Sequence, residues 1–500
     1  MTGAWTRVPD LLAAHVLLSF AALLLGLALA LPLIVLAARN ASVARVSLGF
    51  ASLVQTIPAL ALLALFFPVL LWLGLPPLGF LPSLLALSLY ALLPILRNGV
   101  TGLASLDPAV REAADGVGMT AWQKLRWVEA PLVLPVLMAG IRTAAVWTIG
   151  AATLATTVGQ PSLGDLIFSG LQTQSWPLVL AGCIASAGLA LAVDALLGAA
   201  ERGLATRRTW LWAGALALLV VGAGAAALPR LAPAQDTVVV GAKNFSEQFI
   251  LARVIGARLE GAGYRVAYRE GLGSAVAYGA LRTGAIDVYV DYAGTIWTAE
   301  MKRSDTPPPA RMLPAIRDWA KATGGVTLLG ALGFENAYTF AMKPRAGIAT
   351  LDDLAARSPE LRLGSDLEFL DRAEWVAVKR AYPMRFASQR AYAPSFMYRA
   401  LETGEADVIS AFSSDGRIAA DGLVTLTDPR GAIPRYDAIL LLGQKRASDA
   451  RFAEALRPLL NAIPVETMRR ANYLVDRDAD KQTPEAAARW LAKEIATRSP

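Results

Sequence analysis

Side chains able to do covalent or metal chemistry are scarce in this chain. The single histidine, His15, and the single cysteine, Cys183, both lie inside apolar runs. One cysteine allows no intrachain disulfide. From Gln235 onward there is neither His nor Cys, which excludes thiol catalysis, histidine-based triads and ordinary zinc sites from that half. No G-x-x-x-x-G-K-[ST] phosphate loop occurs, so this chain is not expected to hydrolyse ATP. No catalytic residue, metal ligand or cofactor is expected. Recognition chemistry remains, and it must be carried by aromatic faces, arginines and hydroxyls.

The elements that position those residues differ between the two halves. The 500 residues are 55% hydrophobic and 17% charged, but up to about residue 230 the chain is nearly all Ala, Leu, Val and Gly, whereas from Gln235 it reads as an ordinary mixed-charge globular domain. The net charge of +7 comes without a basic cluster interleaved with aromatics, so nucleic acid is not an expected partner. Runs long enough to cross a hydrocarbon layer of roughly 30 Å lie near 12–38, 50–73, 79–96, 132–158, 176–200 and 210–229. Arg39 and Arg45 follow the first run, Arg97, Arg111, Lys124 and Arg126 the third, and Arg202, Arg207 and Arg208 the fifth, while the loops after the second and fourth hold no Lys or Arg. Basic loops stay cytoplasmic. The N-terminus is therefore expected outside, and the sixth span delivers the second half to the outer face. A cleaved leader ending at Ala28-Leu29-Ala30 is the alternative; the charge alternation favours a retained span.

The charged stretch REAADGVGMTAWQKLRWVEAP, Arg111–Pro131, interrupts this apolar half. Asp107 can cap a helix that starts at Pro108. Gly116 and Gly118 allow a tight bend before a second short helix, TAWQKL. A solvated linker between spans is the plain alternative. Yet Glu112, Ala113, Ala114, Gly118, Val128 and Pro131 at this spacing resemble the EAA motif of ABC-importer permeases, as does AGIRTAAVWTIGAATLATTVG in the fourth span. The resemblance implies that 107–131 couples to a separate ATPase subunit. Arg142 lies deep in the fourth span, where a charge needs a partner or a cavity, and a structural pairing is expected. Pro58 is expected to kink the second span.

After Pro229 and Pro233, strands and amphipathic helices alternate, in one set from TVVVGAK to AIDVYVDY and another from LRLGSD to ADVISAF. Such alternation predicts parallel sheets, and two sets predict two lobes with a cleft between them. GAKNFSEQFILARVIG, GLGSAVAYGALRTGAIDVYVDYAGTIW, GFENAYTFAM, FLDRAEW and ISAFSSDGRIAADGL resemble the substrate-binding proteins of compatible-solute importers, those for glycine betaine, choline, carnitine and proline betaine. A quaternary ammonium donates no hydrogen bond and is best held by aromatic faces, and a carboxylate calls for Arg, Lys and hydroxyl donors. By motif match the resemblance places Tyr292, Tyr338, Phe412 and Tyr436 at aromatic cage positions, and Lys243, Thr295 and Arg372 at carboxylate-binding positions. Phe412 departs from the tyrosine often found there, which weakens the case for tight betaine binding and leaves room for another zwitterion such as ergothioneine. Tyr398 is expected to pack in a helix rather than join the cage.

The resemblances together imply an all-α polytopic membrane domain of the type I ABC-importer kind, followed by an α/β two-lobed binding domain like type II periplasmic binding proteins. The expected layout is a permease domain with five core transmembrane helices at 1–208, an extra helix and linker at 209–235, and a binding domain at 236–500. They imply a transporter subunit rather than an enzyme, in a bacterial inner membrane, working as a homodimer with a separate ATPase and a small quaternary-amine or zwitterionic ligand. A membrane-bound ligand sensor is the rival from another class.

Overall fold

The computed structural model describes residues 5–498 apart from 174, 232–235, 304, 306, 367 and 478. The chain divides into two compact units, Met1–Phe168 with Pro177–Ala234, and Ser169–Trp176 with Gln235–Pro500.

Among the described residues of the first unit, five helices are long and apolar enough to cross a membrane: Val8–Arg39, Phe80–Ala104, Ala121–Val158, Trp176–Ala205 and Thr209–Leu228. Part of the expected 209–235 segment, residues 232–235, lies outside the described residues. The second expected span is not one straight helix. Ala41–Thr56 and Ala59–Trp72 meet at 104°, so a sixth crossing exists only if this bent pair counts as one. The cause is local. Pro58 has no N–H to donate, and its ring drives Ile57 into an extended conformation with ψ 126°.

The polar segment begins as its sequence suggests. Asp107 accepts the Ala109 N–H at 2.9 Å and caps the helix Pro108–Gly116. Gly118 then turns the chain with φ +78°, a region that side chains with a Cβ resist. The expected second short helix is instead the start of the third of these long helices. Thr120 and Gln123 form a capping box, and the helix runs from Ala121 to Val158 through a π turn at Leu125–Glu129. That wide turn precedes Pro131, which cannot donate to the carbonyl four residues back. Lys124–Asp115 (2.6 Å) and Arg111–Glu129 (3.3 Å) tie the two helices together.

Two polar side chains inside this unit are matched by partners. His15 is fully buried; its Nε2 faces the Ile149 carbonyl at 2.9 Å while its Nδ1 faces the Leu163 N–H at 3.3 Å. Arg142 grips both oxygens of Asp194 at 3.0 Å each, and its third nitrogen meets Glu201 at 2.8 Å. Gly198 lies between the two acids on their helix. A Cβ there would stand 3.2 Å from the guanidinium carbon, so glycine opens the groove that the fork occupies. Arg142 is thus paired, as a charge in an apolar helix must be.

The second unit is two five-stranded sheets. The first, in the order β2-β1-β3-β10-β4, uses β1 (Thr237–Lys243), β2 (Arg265–Leu272), β3 (Val288–Tyr292), β4 (Thr327–Glu335) and β10 (Asp437–Leu442). The second, β7-β6-β8-β5-β9, uses β5 (Tyr338–Met342), β6 (Arg362–Ser365), β7 (Ser388–Ala391), β8 (Val408–Phe412) and β9 (Val424–Thr425). In each, the βα-connected strands pair in parallel and the strands entering from the other lobe pair antiparallel. The chain crosses between sheets twice, after β4 and again before β10. The crossings touch, since the Asn336 N–H donates to the Tyr436 carbonyl at 2.9 Å. Val238, Val240, Val288 and Val290 are fully buried, as strands covered on both faces require.

Candidate ligand site between the lobes

Strand ends build the site. Lys243 closes β1, Tyr292 closes β3 and Phe412 closes β8; Tyr338 opens β5 opposite Phe412 in the ladder, and Tyr436 stands just before β10. Thr295 follows β3 by one turn of helix, and Arg372 precedes the helix Ala373–Ala381. Crevices beyond the carboxyl ends of parallel strands are where such sheets hold ligands. All seven residues singled out from the sequence line one cavity of about 140 Å³ here, drawn from both sheets.

The aromatic wall is continuous. Tyr338 lies 4.8 Å from Phe412 between ring centroids, and meets Tyr436 edge-on at 5.7 Å and 88°. Phe245, which motif matching passed over, stacks on Phe412 at 5.9 Å and 8° and on Tyr292 at 6.2 Å. Its signal was in plain view, two residues after Lys243 in AKNF. Tyr398 lies in the helix Pro394–Glu402 beneath the Arg417 guanidinium, outside this cavity wall.

The charged wall is more acidic than motif matching suggested. Arg372 points Nη2 at the Thr295 hydroxyl (3.5 Å), and its guanidinium stands 5.5 Å from the Tyr338 centroid. It also pairs with Glu368 at 2.8 Å and Glu374 at 3.4 Å. Glu374 is 1% exposed and takes the Thr298 hydroxyl (2.9 Å) and the Tyr436 phenol, so this carboxylate from the second lobe holds two groups of the first. Lys243 lies on the wall, but its ammonium is already held by the buried Asp291 carboxylate, which also takes the Tyr289 hydroxyl. Its charge is therefore largely spent inside the fold. Asp366 lines the cavity too, and burial raises its pKa.

Behind the Tyr292 ring lies Glu247, another residue with no signal in the sequence beyond its place in NFSEQ. Its carboxylate takes the Tyr292 phenol at 2.6 Å and the amides of Asn336 and Asn472 at 3.1 and 2.8 Å. Burial pushes Glu247 up, against the pull of those donors. The Tyr292 phenol is pushed far above its ordinary value by burial and then by the neighbouring carboxylate, so it stays a donor.

Comparison with known proteins agrees with this architecture. Residues 236–493 match the family described as the substrate binding domain of ABC-type glycine betaine transport system, and residues 22–206 match the binding-protein-dependent transport system inner membrane component. The ergothioneine transport permease/ergothioneine binding protein EgtU of Helicobacter pylori is 28% identical over 444 residues, which cover 84% of this chain and 78% of that one. The glycine betaine/carnitine/choline transport system permease protein OpuCB of Bacillus subtilis is 40% identical over 188 residues, covering 38% of this chain and 84% of its own. A solved glycine betaine/carnitine/choline ABC transporter structure aligns with 52% of this chain and 98% of its own, at 26% identity and a TM-score of 0.46. The two-sheet domain with its interlobe cavity, joined to a bundle of apolar helices, therefore belongs to the family of ABC-type glycine betaine transport substrate-binding domains, here fused to a multi-pass inner-membrane permease in a transporter chain that is not an enzyme.

Proposed function

We propose that this chain is the permease and binding subunit of an ATP-driven importer for a small quaternary ammonium or zwitterionic compatible solute such as glycine betaine, choline or carnitine. The observation that carries the reading is the cavity lining itself: the rings of Tyr292, Tyr338, Phe412 and Tyr436, together with Arg372 and Thr295, which lie within hydrogen-bond reach of each other. The rings attract the cation, and the guanidinium and hydroxyl hold the carboxylate. Lys243 lines the cavity with its ammonium already paired to Asp291, so the anion falls to Arg372 and Thr295. The binding domain lies on the outer face with the N-terminus outside, and the segment 107–131, with Glu112, Ala113, Ala114, Gly118 and Pro131, docks on a separate ATPase. The working unit is a homodimer with two ATPase copies. Because each permease carries its own binding domain, the local concentration of that domain at its dock is high.

A second reading keeps this architecture with ergothioneine as solute. It is favoured by the fused relative of that name and by Phe412, whose ring lacks the phenolic oxygen. Proteoliposomes holding the chain and its ATPase are expected to accumulate one of glycine betaine, carnitine, choline or ergothioneine when supplied with ATP. Accumulation of none would refute the reading. Loss of uptake in the Glu112→Ala variant with solute binding retained favours the importer, whereas solute binding by the unaltered chain with no uptake is the result expected of a ligand sensor.

A further inference from the structure

Each nitrogen of the Arg372 guanidinium faces a different group. Nε meets Glu374 at 3.4 Å, Nη2 points at the Thr295 hydroxyl at 3.5 Å, and Nη1 donates to Glu368 at 2.8 Å. The two carboxylates are held very differently. Glu374 is 1% exposed and is also fixed by the Thr298 and Tyr436 hydroxyls. The Glu368 backbone is pinned, its N–H donating to Asp366 at 2.8 Å, but 47% of its side chain is open to solvent. The oxygen that takes Arg372 also takes the Ser274 hydroxyl of the first lobe, at a long 3.4 Å. Glu368, Arg372 and Ser274 all line the interlobe cavity.

A carboxylate on a solute is bound best by the two terminal nitrogens of such a fork together. One of them already carries a carboxylate, supplied by the chain itself. An exposed ion pair contributes little, so its release costs little. When the Glu368 side chain swings out, Nε keeps Glu374, and the guanidinium is not left without a counter-charge. A quaternary ammonium that has no carboxylate leaves the Glu368 pair intact, and the negative charge beside the cavity attracts its cation.

We propose that Glu368 is a specificity-determining residue: a tethered carboxylate that holds the Arg372 Nη1 when the solute carries no anion, and yields it when the solute brings a carboxylate. The inference rests on the solute reading above, with Arg372 as the anion's partner, and deepens it. One site then admits both classes, and Glu368 biases it toward quaternary ammonium solutes without a carboxylate, because a betaine must first displace the internal acid.

The test is calorimetric titration of the purified full chain and its Glu368→Gln variant. Choline is the carboxylate-free probe; glycine betaine, carnitine and ergothioneine are the carboxylate-bearing ones. In E368Q the tightest carboxylate-bearing probe is expected to bind about two- to fivefold more tightly, the span of an exposed ion pair, while choline binds equally or more weakly. A ratio of the two affinities that stays fixed, or that moves toward choline, would overturn the proposal. A merely structural role would move both classes together and leave that ratio alone. Glu368→Ala, which removes the acceptor altogether, should shift the ratio in the same direction as E368Q, and it stands in where the first variant does not fold. Binding of no probe by the unaltered chain is a separate result; it removes the solute reading itself, and this inference falls with it.

Discussion

Replacing Arg372 by methionine (R372M) keeps most of the side chain's length and removes its fork. Two separate effects follow. The first is on the fold. Glu374, 1% exposed, loses its cationic neighbour and keeps the Thr298 and Tyr436 hydroxyls. Removing one partner of a buried ion pair costs about 3–5 kcal/mol. The 3.4 Å contact is long and two donors remain, so about 2 kcal/mol is expected here. Glu368, with 47% of its side chain exposed, adds on the order of 0–1 kcal/mol. At roughly 2 °C per kcal/mol for a domain of this size, the binding domain should melt about 4–6 °C lower. The second effect is on the ligand. A hydrogen bond to a charged group contributes about 1.5–3 kcal/mol, so a carboxylate-bearing solute should bind about 10- to 150-fold more weakly. Choline has no carboxylate and should lose little, or gain, once a positive charge leaves the cavity. Arg372→Lys keeps the charge without the fork and should fall between. Calorimetry with glycine betaine, carnitine and choline, alongside a thermal melt, measures both effects. Parallel losses for choline and the carboxylates would refute the assignment of Arg372 to the anion. An unchanged melting temperature would refute the latch to Glu374.

Other perturbations separate the remaining claims. Gly118→Val forces a β-branched residue to φ +78° at a cost of about 1–2 kcal/mol; uptake should fall while solute affinity holds, and loss of affinity in step with uptake would speak against a coupling role. Arg142→Met leaves Asp194 and Glu201 without their shared cation. The folded yield in detergent should drop by an amount corresponding to about 1 kcal/mol, since these side chains are about a third exposed, and pairing the change with Asp194→Asn should recover part of it in a double-variant cycle. Burial holds the Asp476 carboxyl up at about 6, although Ser246 donates to it at 2.6 Å. Its folded-state pKa lies above the unfolded value, so the folded state binds the extra proton. The stability it contributes is present at about pH 4 and is lost as pH rises through 6. Asp476→Asn should therefore melt progressively higher than the unaltered protein between pH 4 and 7, and a constant offset would contradict this.

Several features were legible because their causes are local. Apolar runs of a fixed length mark helices that can cross a membrane; Asp107 before Pro108 marks a cap, Gly118 a left-handed turn and Pro58 a break. The size of the break, 104°, was not legible, since a proline removes a donor but the neighbouring helices choose the new direction. The alternation of strands and helices gave two lobes, while the return of β10 into the first sheet depends on pairing with strands more than a hundred residues earlier. The residues expected at cage positions came from motif resemblance, and one cavity collects all of them.

By itself the sequence determined the division into an apolar and a globular half, the starts and stops of many elements, and the residue types available for holding a methylated cation and a carboxylate. Tertiary structure alone decided which charges are free to do so. Lys243 is neutralised by Asp291, 48 positions away, and Glu247 gathers donors 45, 89 and 225 positions away. Periodicity and capping report contacts within a few residues, whereas the partner of a buried polar group is set by which distant segments the fold brings against it. Burial makes that choice matter, because an enclosed charge or amide must find its partner inside the protein or in the ligand.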